Sequence, residues 1–271
     1  MTKVQFLLKS DHWPVIDSLR LFIQEQKTDR FQWTINTNKD EENTINFQVL
    51  PLNWLEVNKK TFRIVSVLKR SNPEDRLLTP PEFVKKNMPE ILRTLPLVSS
   101  EKRICAQAGA LLEGVTPPLL KTEAEIRTDY LKANTHAVLF PWWVPVGDFL
   151  DEGWKSTTLH PSEFTPDAGS GCWAIVDDGN SPGEILKEVK KLHHPASVVL
   201  TNTERKVKRD FVRKDLDLLG VFLQHSTQDK YELYLCLRRK KSGEVQYVDY
   251  PTSTLSEMVP EALKMIDQHL E

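Results

Sequence analysis

The placement of glycine is the sequence feature that most restricts what this chain can fold into. Of its 271 residues, 10 are glycine, and the first of them is Gly109. A loop that cradles phosphate needs glycine, because only glycine lets the backbone approach the ligand so closely. The sequence therefore excludes such a loop from residues 1–108. Several glycines gather between residues 169 and 190, which directs the search for chemistry to that region.

Composition and charge describe an ordinary folded chain with no strong bias toward one kind of partner. Hydrophobic residues make up 39% and charged residues 27%, and the net charge of −2 gives no overall basic field to attract nucleic acid. At roughly 100–200 residues per domain, the length predicts two domains or one large one. The cysteines Cys105, Cys172 and Cys236 lack the spacing of a disulfide framework or a structural zinc site. The cysteine content is typical of a reducing compartment, so we expect a cytoplasmic location. No apolar run is long enough to span a bilayer, so we expect no membrane partner.

The first 71 residues predict a compact α+β module. Short stretches in which apolar and polar residues alternate are typical of strands with one buried face. Asp11 is expected to cap a helix whose apolar residues Val15, Leu19 and Phe22 lie mainly on one stripe. Two strands on either side of a wholly polar segment, 36–43, are expected to form a hairpin with a long loop. The predicted strands lie at 3–9, 31–35, 45–49 and 61–69.

The rest of the chain is expected to form two further parts. Residues 72–134 are rich in proline and are predicted to be a helical connector, with helices at 81–95, 99–112 and 122–133. Residues 135–271 are predicted to be a C-terminal α/β domain with a mixed sheet. Its elements are expected to be strands at 137–140, 172–176, 196–200, 218–225, 230–238 and 244–250 and helices at 180–192, 203–215 and 254–270. The fold class is therefore α+β.

Two short motifs in the glycine-containing region resemble known functional loops. Residues 169–174 match the letters G-x-G-x-x-A of a dinucleotide-binding loop, but that loop follows a strand and opens a helix, whereas this one precedes a strand. Cys172-Trp173 resembles the nucleophile region of papain-like and transglutaminase-type thiol enzymes, which implies a reactive Cys172. In those families the cysteine opens a helix, and here it is expected to begin a strand. We therefore favour a buried structural cysteine, with thiol chemistry as the alternative.

A pattern of carboxylates follows the same strand. Asp177-Asp178 with Glu188 and Lys190 resembles the PD-(D/E)xK nuclease motif, which implies Mg²⁺ or Mn²⁺ held by the carboxylates and a lysine that helps to activate water. That motif needs Glu188 and Lys190 on a strand, while the apolar spacing at 184–192 indicates a helix. The aspartates would otherwise lie at the end of a strand, where ligands bind in open α/β sheets, or in a solvated turn. We expect no cofactor, with Mg²⁺ or Mn²⁺ as the alternative.

Two surfaces are candidates for contact with a macromolecule. Basic residues concentrate after residue 185 in clusters that suit phosphate groups or an acidic protein, or that form solvated faces. Trp142-Trp143 lies between prolines and is expected to be an exposed loop that contacts a protein partner. The basic candidates are Arg205, Lys206, Lys208, Arg209, Arg213, Lys214, Arg238, Arg239, Lys240 and Lys241.

These features together favour a non-catalytic function. We expect an intracellular binding or scaffold component of a macromolecular assembly, with a protein partner and with nucleic acid as a further partner at the basic C-terminal face. The alternative is a metal-dependent nuclease or phosphodiesterase with an acidic site near Asp177-Asp178. No complete catalytic constellation is present in the sequence, so the question of enzymatic activity stays open, as do the oligomeric state and the identity of any substrate.

Overall fold

A computed structural model describes most of the chain. The described residues are 2–9, 13–26, 30–38, 44–55, 63–83, 88–111, 118–226 and 230–268. The predicted helix cap Asp11 lies outside these ranges. No helix within them is long and apolar enough to cross a bilayer.

Helices and mixed sheets make up the fold, which confirms the predicted α+β class. The strands are β1 (Thr2–Leu7), β2 (Phe31–Asn36), β3 (Thr44–Pro51), β4 (Arg63–Val67), β5 (Arg76–Thr79), β6 (Leu97–Ser99), β7 (Leu119–Leu120), β8 (Ala137–Phe140), β9 (Lys155–Thr158), β10 (Trp173–Asp177), β11 (Leu216–His225), β12 (Tyr231–Arg239) and β13 (Val245–Thr252). The α-helices are α1 (Val15–Glu25), α2 (Met88–Thr94), α3 (Lys102–Leu111), α4 (Glu123–Glu125), α5 (Leu131–Ala133), α6 (Gly147–Asp151), α7 (Gly183–Val189), α8 (Pro195–Asp210) and α9 (Met258–Gln268).

The chain divides into two compact units, and each is discontinuous in sequence. The first unit comprises Met1–Pro73 and Gly169–Asn202, and the second comprises Glu74–Ala168 and Thr203–Glu271. The boundary after Asn202 falls within α8. The sequence predicts contiguous parts at 1–71, 72–134 and 135–271, and that three-part division stays a prediction.

The first unit is built on a five-stranded sheet with the order β2-β1-β3-β10-β4. β1 pairs in parallel with both β2 and β3, so the carboxyl ends of these three strands point the same way. β10 is antiparallel to both of its neighbours, β3 and β4. Every residue of β10 is buried, because this strand lies inside the sheet and is apolar along almost its whole length.

The predicted hairpin of residues 31–35 and 45–49 is wrong, because β1 lies between β2 and β3. Val4, Gln5 and Phe6 of β1 are fully buried on both faces of the sheet, which suits a strand with a neighbour on each side. A strand followed by a helix returns in parallel, so α1 delivers β2 to one side of β1. The second parallel partner, β3, then occupies the other side.

The helix α1 covers this sheet with an apolar face. Its residues Val15, Ile16, Leu19 and Phe22 are buried and recur at helical spacing, as the sequence predicts. Phe22 meets Trp33 of β2 edge to face, with 5.3 Å between ring centroids. Aromatic pairs of this geometry add specific contacts to the burial of apolar surface. The helix is thereby held over the ends of β1 and β2.

The second unit contains a five-stranded sheet, β7-β6-β8-β5-β9, and a three-stranded sheet, β11-β12-β13. The strands predicted at 218–225, 230–238 and 244–250 are present. In the predicted helical connector, helices alternate with the short strands β5, β6 and β7, which sequence periodicity does not reveal in so few residues. The apolar core of this unit includes Leu77, Leu97, Ile104, Leu139 and Phe164.

The predicted strand at 196–200 is also wrong, because these residues belong to α8. Pro195 stands at the first position of the helix, where its missing N–H costs nothing. The His194 ring accepts a hydrogen bond from the Ser197 backbone N–H, which satisfies one of the free donors of the first turn. This start of the helix overrides the strand preference of Val198 and Val199.

A buried ion pair ties three segments of the second unit together. Arg103 on α3 donates to the Asp75 carboxylate at 2.6 Å and to the Thr165 carbonyl at 3.0 Å. Gln107, one turn later, donates to the same carbonyl at 2.9 Å. The segment that carries Thr165 is thus fixed against α3.

We predict that replacing Gly220 with alanine destabilises the protein. A Cβ atom at this position would lie 2.4 Å from the carbonyl oxygen of Thr165, which is backbone and therefore cannot turn away. The free energy of unfolding, measured by urea denaturation, should fall by about 1–3 kcal/mol. Gly183→Ala is the control, because a Cβ there meets no atom within 4 Å. Equal stability of the two variants would contradict the described packing of β11 against Thr165.

Candidate functional site

A cleft of about 240 Å³ opens at the carboxyl ends of β1 and β2. The ladder between these strands continues one residue beyond β1, where the Leu8 N–H donates to the Asn36 carbonyl at 3.0 Å. The start of α1 forms the remaining wall. The lining residues are Leu8, Ile16, Arg20, Ile35, Asn36 and Thr37.

The lining combines apolar walls with a small number of polar groups. Leu8 and Ile16 are almost fully buried, and Ile35 is partly buried. Asn36 and Thr37 add an amide and a hydroxyl at the end of β2. Polar and apolar groups contribute similar amounts of surface to the lining. Small-molecule sites are usually mostly apolar and occupy roughly 300–1,000 Å³, so this cleft is smaller and more polar than the usual site of a drug-sized ligand.

Among the described residues that line the cleft, Arg20 is the one cation, and it has a carboxylate beside it. Its guanidinium lies 3.6 Å from the carboxylate of Asp17, one turn earlier on α1. Both side chains are well exposed, at 67% for Arg20 and 83% for Asp17. An exposed pair of this kind contributes only about 0–1 kcal/mol, so the guanidinium can rearrange toward a ligand at little cost.

The residues of the predicted metal site, Asp177, Asp178, Glu188 and Lys190, do not line this cleft. The strand β10, which ends at Asp177, runs in the opposite direction to β1 and β2. Asp177 ends β10, which is antiparallel, so this end points away from the edge where β1 and β2 end. Its carboxylate is fully buried and accepts hydrogen bonds from Arg63 at 2.7 Å and from Ser181. Asp178 is exposed and accepts from the Asn180 N–H at 3.0 Å.

The carboxylate of Asp177 is held in its charged form by its partners. Burial by itself raises the pKa of Asp177, but hydrogen bonds from Ser181, Arg63 and the Gly179 backbone outweigh it and lower the pKa below its usual range. The structure therefore gives Asp177 a role in joining β10 to the start of β4 and to the segment before α7.

Glu188 and Lys190 lie on a helical segment, as the apolar spacing predicts. Glu188 is on α7, where its carboxylate pairs with Lys191, and Lys190 begins the 3-10 turn that follows. Residues two apart on a helix face different directions, so these two side chains do not converge as the nuclease motif requires. Among the described residues, no cluster of three or more His, Cys, Asp or Glu side chains could hold a metal ion.

Most of the basic candidates already have acidic partners within the chain. Lys208 pairs with Asp167 at 2.7 Å, Arg213 with Asp215 and Asp267 at 3.0 and 2.8 Å, and Arg238 with Asp217 at 2.6 Å. The other ion pairs of the group are Lys206 and Arg209 with Asp210, Arg239 with Glu244 and Lys240 with Asp217. Partial burial lowers the pKa of Arg205, while Lys214 and Lys241 are exposed. Much of the basic charge is thus neutralised where it stands.

The tryptophan and cysteine candidates are buried. Trp142 and Trp143 are only 4% and 5% exposed and meet edge to face, which corrects the expected exposed loop. Because these rings are large and mostly apolar, burying them within the fold is more favourable than exposing them to solvent. Cys172 is fully buried before β10, and its carbonyl accepts from the Leu52 N–H at 2.8 Å, as expected for a structural cysteine.

Sequence reasoning missed all the residues of the cleft. The β-α-β order at the N-terminus could have indicated these residues, because it predicts that the two strands are parallel. The helix then begins at the edge of the sheet where both strands have their carboxyl ends. The expected hairpin hid it, since antiparallel partners would have put the ends of β1 and β2 at different edges. Of the cleft residues, only Arg20 stands out in the sequence, because it is a charged residue next to the apolar stripe of α1.

Comparisons with known proteins give only distant structural likenesses. No protein-family model matches the chain, and no curated protein matches it. A TRAP periplasmic solute-binding protein from Rhodobacter sphaeroides is similar with a TM-score of 0.46 and 13% identity, over 77% of this chain and 81% of that one. A TRAP periplasmic solute-binding protein from Ralstonia eutropha, with bound (S)-2-acetolactate, gives 0.44 and 12%, over 74% and 80%. The effector-binding domain of QuiR in complex with shikimate gives 0.43 and 9%, over 70% and 93%.

The function predicted from the sequence needs correction. Glu188 and Lys190 lie on a helical segment, the Trp142-Trp143 loop is buried, and most of the basic candidates are in ion pairs. A scaffold that contacts protein or nucleic acid, and a metal-dependent nuclease, are therefore both wrong for this chain.

We predict that Asp177→Asn lowers stability in a pH-dependent way. The free energy of unfolding at pH 7 should fall by about 1–3 kcal/mol, because a charged hydrogen-bonded pair with Arg63 is lost. Since folding lowers the pKa of Asp177, its stabilisation is present above the unfolded value near 4 and disappears as the pH falls through the folded value. Urea denaturation from pH 7 down to pH 3 should therefore bring wild type and variant together.

The matched control is Asp178→Asn, which removes a neighbouring exposed carboxylate. Its effect should stay within about 0.5 kcal/mol, as is usual for surface substitutions. A pH-independent difference between wild type and Asp177→Asn would contradict the assigned role of this carboxylate.

Proposed function

We propose that the chain is a small-molecule-binding protein and that its first unit binds a small organic anion in the cleft between β1, β2 and α1. One observation carries the proposal. A cleft with apolar walls and, among the described residues that line it, a single guanidinium lies at the carboxyl ends of two adjacent parallel strands. In open α/β sheets, ligands bind outside the carboxyl ends of the strands.

The order β2-β1-β3 places the point at which the strand order reverses between β1 and β3. The cleft lies one strand away, between β1 and β2, and the helix α1 that connects these two strands forms one of its walls. Leu8, which follows β1 directly, brings the carboxyl end of this central strand to the cleft.

The chemistry of the lining favours a carboxylate with a short aliphatic body. The Arg20 guanidinium suits a carboxylate, because its fork of N–H donors matches the two oxygens. Leu8, Ile16 and Ile35 offer apolar contact to the remainder of the ligand. The volume of about 240 Å³ restricts that remainder to a few carbon atoms.

We predict that 4-methylpentanoate binds more tightly than the uncharged 4-methylpentanamide, and that Arg20→Gln removes the difference. An ion pair with an exposed side chain contributes about 0.2–1 kcal/mol, so loss of the guanidinium should weaken binding of the acid about two- to fivefold. Titration calorimetry measures both ligands on both proteins. Binding should also raise the unfolding temperature in proportion to the ratio of ligand concentration to Kd.

Arg30→Gln is the matched control, because Arg30 is an exposed arginine of the same unit that does not line the cleft. It should leave the affinity for 4-methylpentanoate unchanged. Equal binding of acid and amide, or an equal loss in both arginine variants, would contradict the proposal.

The cytoplasmic location stays a prediction of ours. Cys105 and Cys236 are free thiols, which is what a reducing compartment favours. Reaction of the half-buried Cys105 with a thiol reagent in intact cells would report its oxidation state there. A fully oxidised Cys105 would argue against this location.

A further inference from the structure

We propose that the ligand of the cleft carries an ammonium as well as a carboxylate, and that it is an α-amino acid with a short aliphatic side chain. This inference rests on the proposed function of the same cleft and names its ligand class. The residue that decides it is Asp17, whose carboxylate lies 3.6 Å from the Arg20 guanidinium. Asp17 thus selects the ligand by charge, while Arg20 and the apolar walls bind it.

The positions of the two charges are fixed by the helix that carries them. Asp17 and Arg20 are three residues apart on α1, so their side chains project from the same face of the helix. Ile16, one residue before Asp17, lines the cleft and is 7% exposed. Asp17 does not line the cleft itself, but its carboxylate lies beside the guanidinium of Arg20, which does.

A ligand with a carboxylate alone meets a conflict beside these two side chains. To pair with Arg20, its carboxylate must come close to that of Asp17, and like charges at such a distance repel each other. The ligand also displaces Asp17 from its present partner. A monocarboxylate therefore gains one ion pair and loses another.

An α-amino acid removes this conflict. Its ammonium and carboxylate are attached to the same carbon, so one charge can pair with Asp17 while the other pairs with Arg20. Both side chains then keep an opposite charge beside them. The aliphatic side chain extends toward Leu8, Ile16 and Ile35, where a charged or long polar side chain would lose its hydration without a partner.

The preference for an amino acid is the difference between its affinity and that of the monocarboxylate. Repulsion of the monocarboxylate by Asp17 contributes to this difference as much as attraction of the ammonium does. An exposed ion pair and an exposed like-charge contact each change an affinity about two- to fivefold. Both effects apply when the ligand is changed from a monocarboxylate to an α-amino acid. L-Leucine should therefore bind about tenfold more tightly than 4-methylpentanoate.

The experiment compares three ligands that share the same isobutyl side chain by titration calorimetry. L-Leucine carries both charges, 4-methylpentanoate carries only the negative one, and 3-methylbutylamine carries only the positive one. On the wild-type protein, L-leucine should bind about tenfold more tightly than either analogue. On Asp17→Asn, the affinity for 4-methylpentanoate should rise about threefold and the preference for L-leucine should fall to about twofold or less.

Glu25→Gln is the matched control, since Glu25 is an exposed carboxylate at the far end of the same helix. It removes the same charge two turns from Asp17 and should leave the ratio of the affinities unchanged. Circular dichroism spectra of both variants should match that of the wild type, because neither side chain is buried. An equal change in both variants would show a general charge effect and would overturn the assignment of Asp17.

The two proposals fail in different ways. If 4-methylpentanoate binds as tightly as L-leucine to the wild type, or if Asp17→Asn leaves their ratio unchanged, the inference is overturned while the proposed function stands. If none of the three ligands binds, the proposed function itself is wrong. Binding of L-leucine that Arg20→Gln does not weaken would place the amino acid at another site and overturn both.

Discussion

The parallel pairing of β1 with β2 and β3 is the constraint on which the first unit and its cleft depend. β1 is buried on both faces, so it needs a hydrogen-bonded partner along each edge. The helix α1 supplies the crossover that makes the first of these partners parallel. The carboxyl ends of β1 and β2 are thereby brought together under the start of α1, and the cleft is the space between them. A different strand order would leave Leu8 and Asn36 at separate edges.

The local features of this unit follow from the sequence, and its strand order does not. The apolar stripe of α1 and the alternating residues of β2 and β3 correctly predict the elements. Pairing depends on which strand is buried on both faces, and the short run of β1 does not reveal this, since Gln5 is polar yet fully buried. The hairpin is therefore a reasonable prediction from the sequence, although the structure places β1 in the centre with Val4 and Phe6 fully buried.

A similar limit explains why the sequence predicts a ligand site at the end of β10. The glycines near residue 170 serve the backbone, since Gly171 has a left-handed φ of +81° and a Cβ there would lie 2.6 Å from the Ser71 carbonyl oxygen. This close approach brings the chain back into the first unit, where β10 enters the sheet antiparallel. Direction within a sheet is a long-range property, so the sequence placed Asp177 at a carboxyl edge that its strand does not share.

The charged residues show how ion pairs within a chain can look like a binding surface in its sequence. Arg213, Arg238 and Lys208 belong to dense basic clusters, but each has an acidic partner from a distant or neighbouring segment. Arg20 and Asp17 form a pair too, and the difference is that Arg20 lines a cleft beside the apolar side chains of Leu8, Ile16 and Ile35. A charge becomes informative about a ligand when concave apolar surface lies beside it.

The most direct test of small-molecule binding in the first unit is a titration with L-leucine followed by amide chemical shifts. We expect saturable changes concentrated at Leu8, Ile16, Arg20, Asn36 and Thr37, because these residues line the cleft. Amides near Asp177 should shift little, since β10 ends away from the carboxyl edge of β1 and β2. Saturable shifts centred on residues 177–191 with none at the cleft, or no saturable shifts at all, would contradict the account.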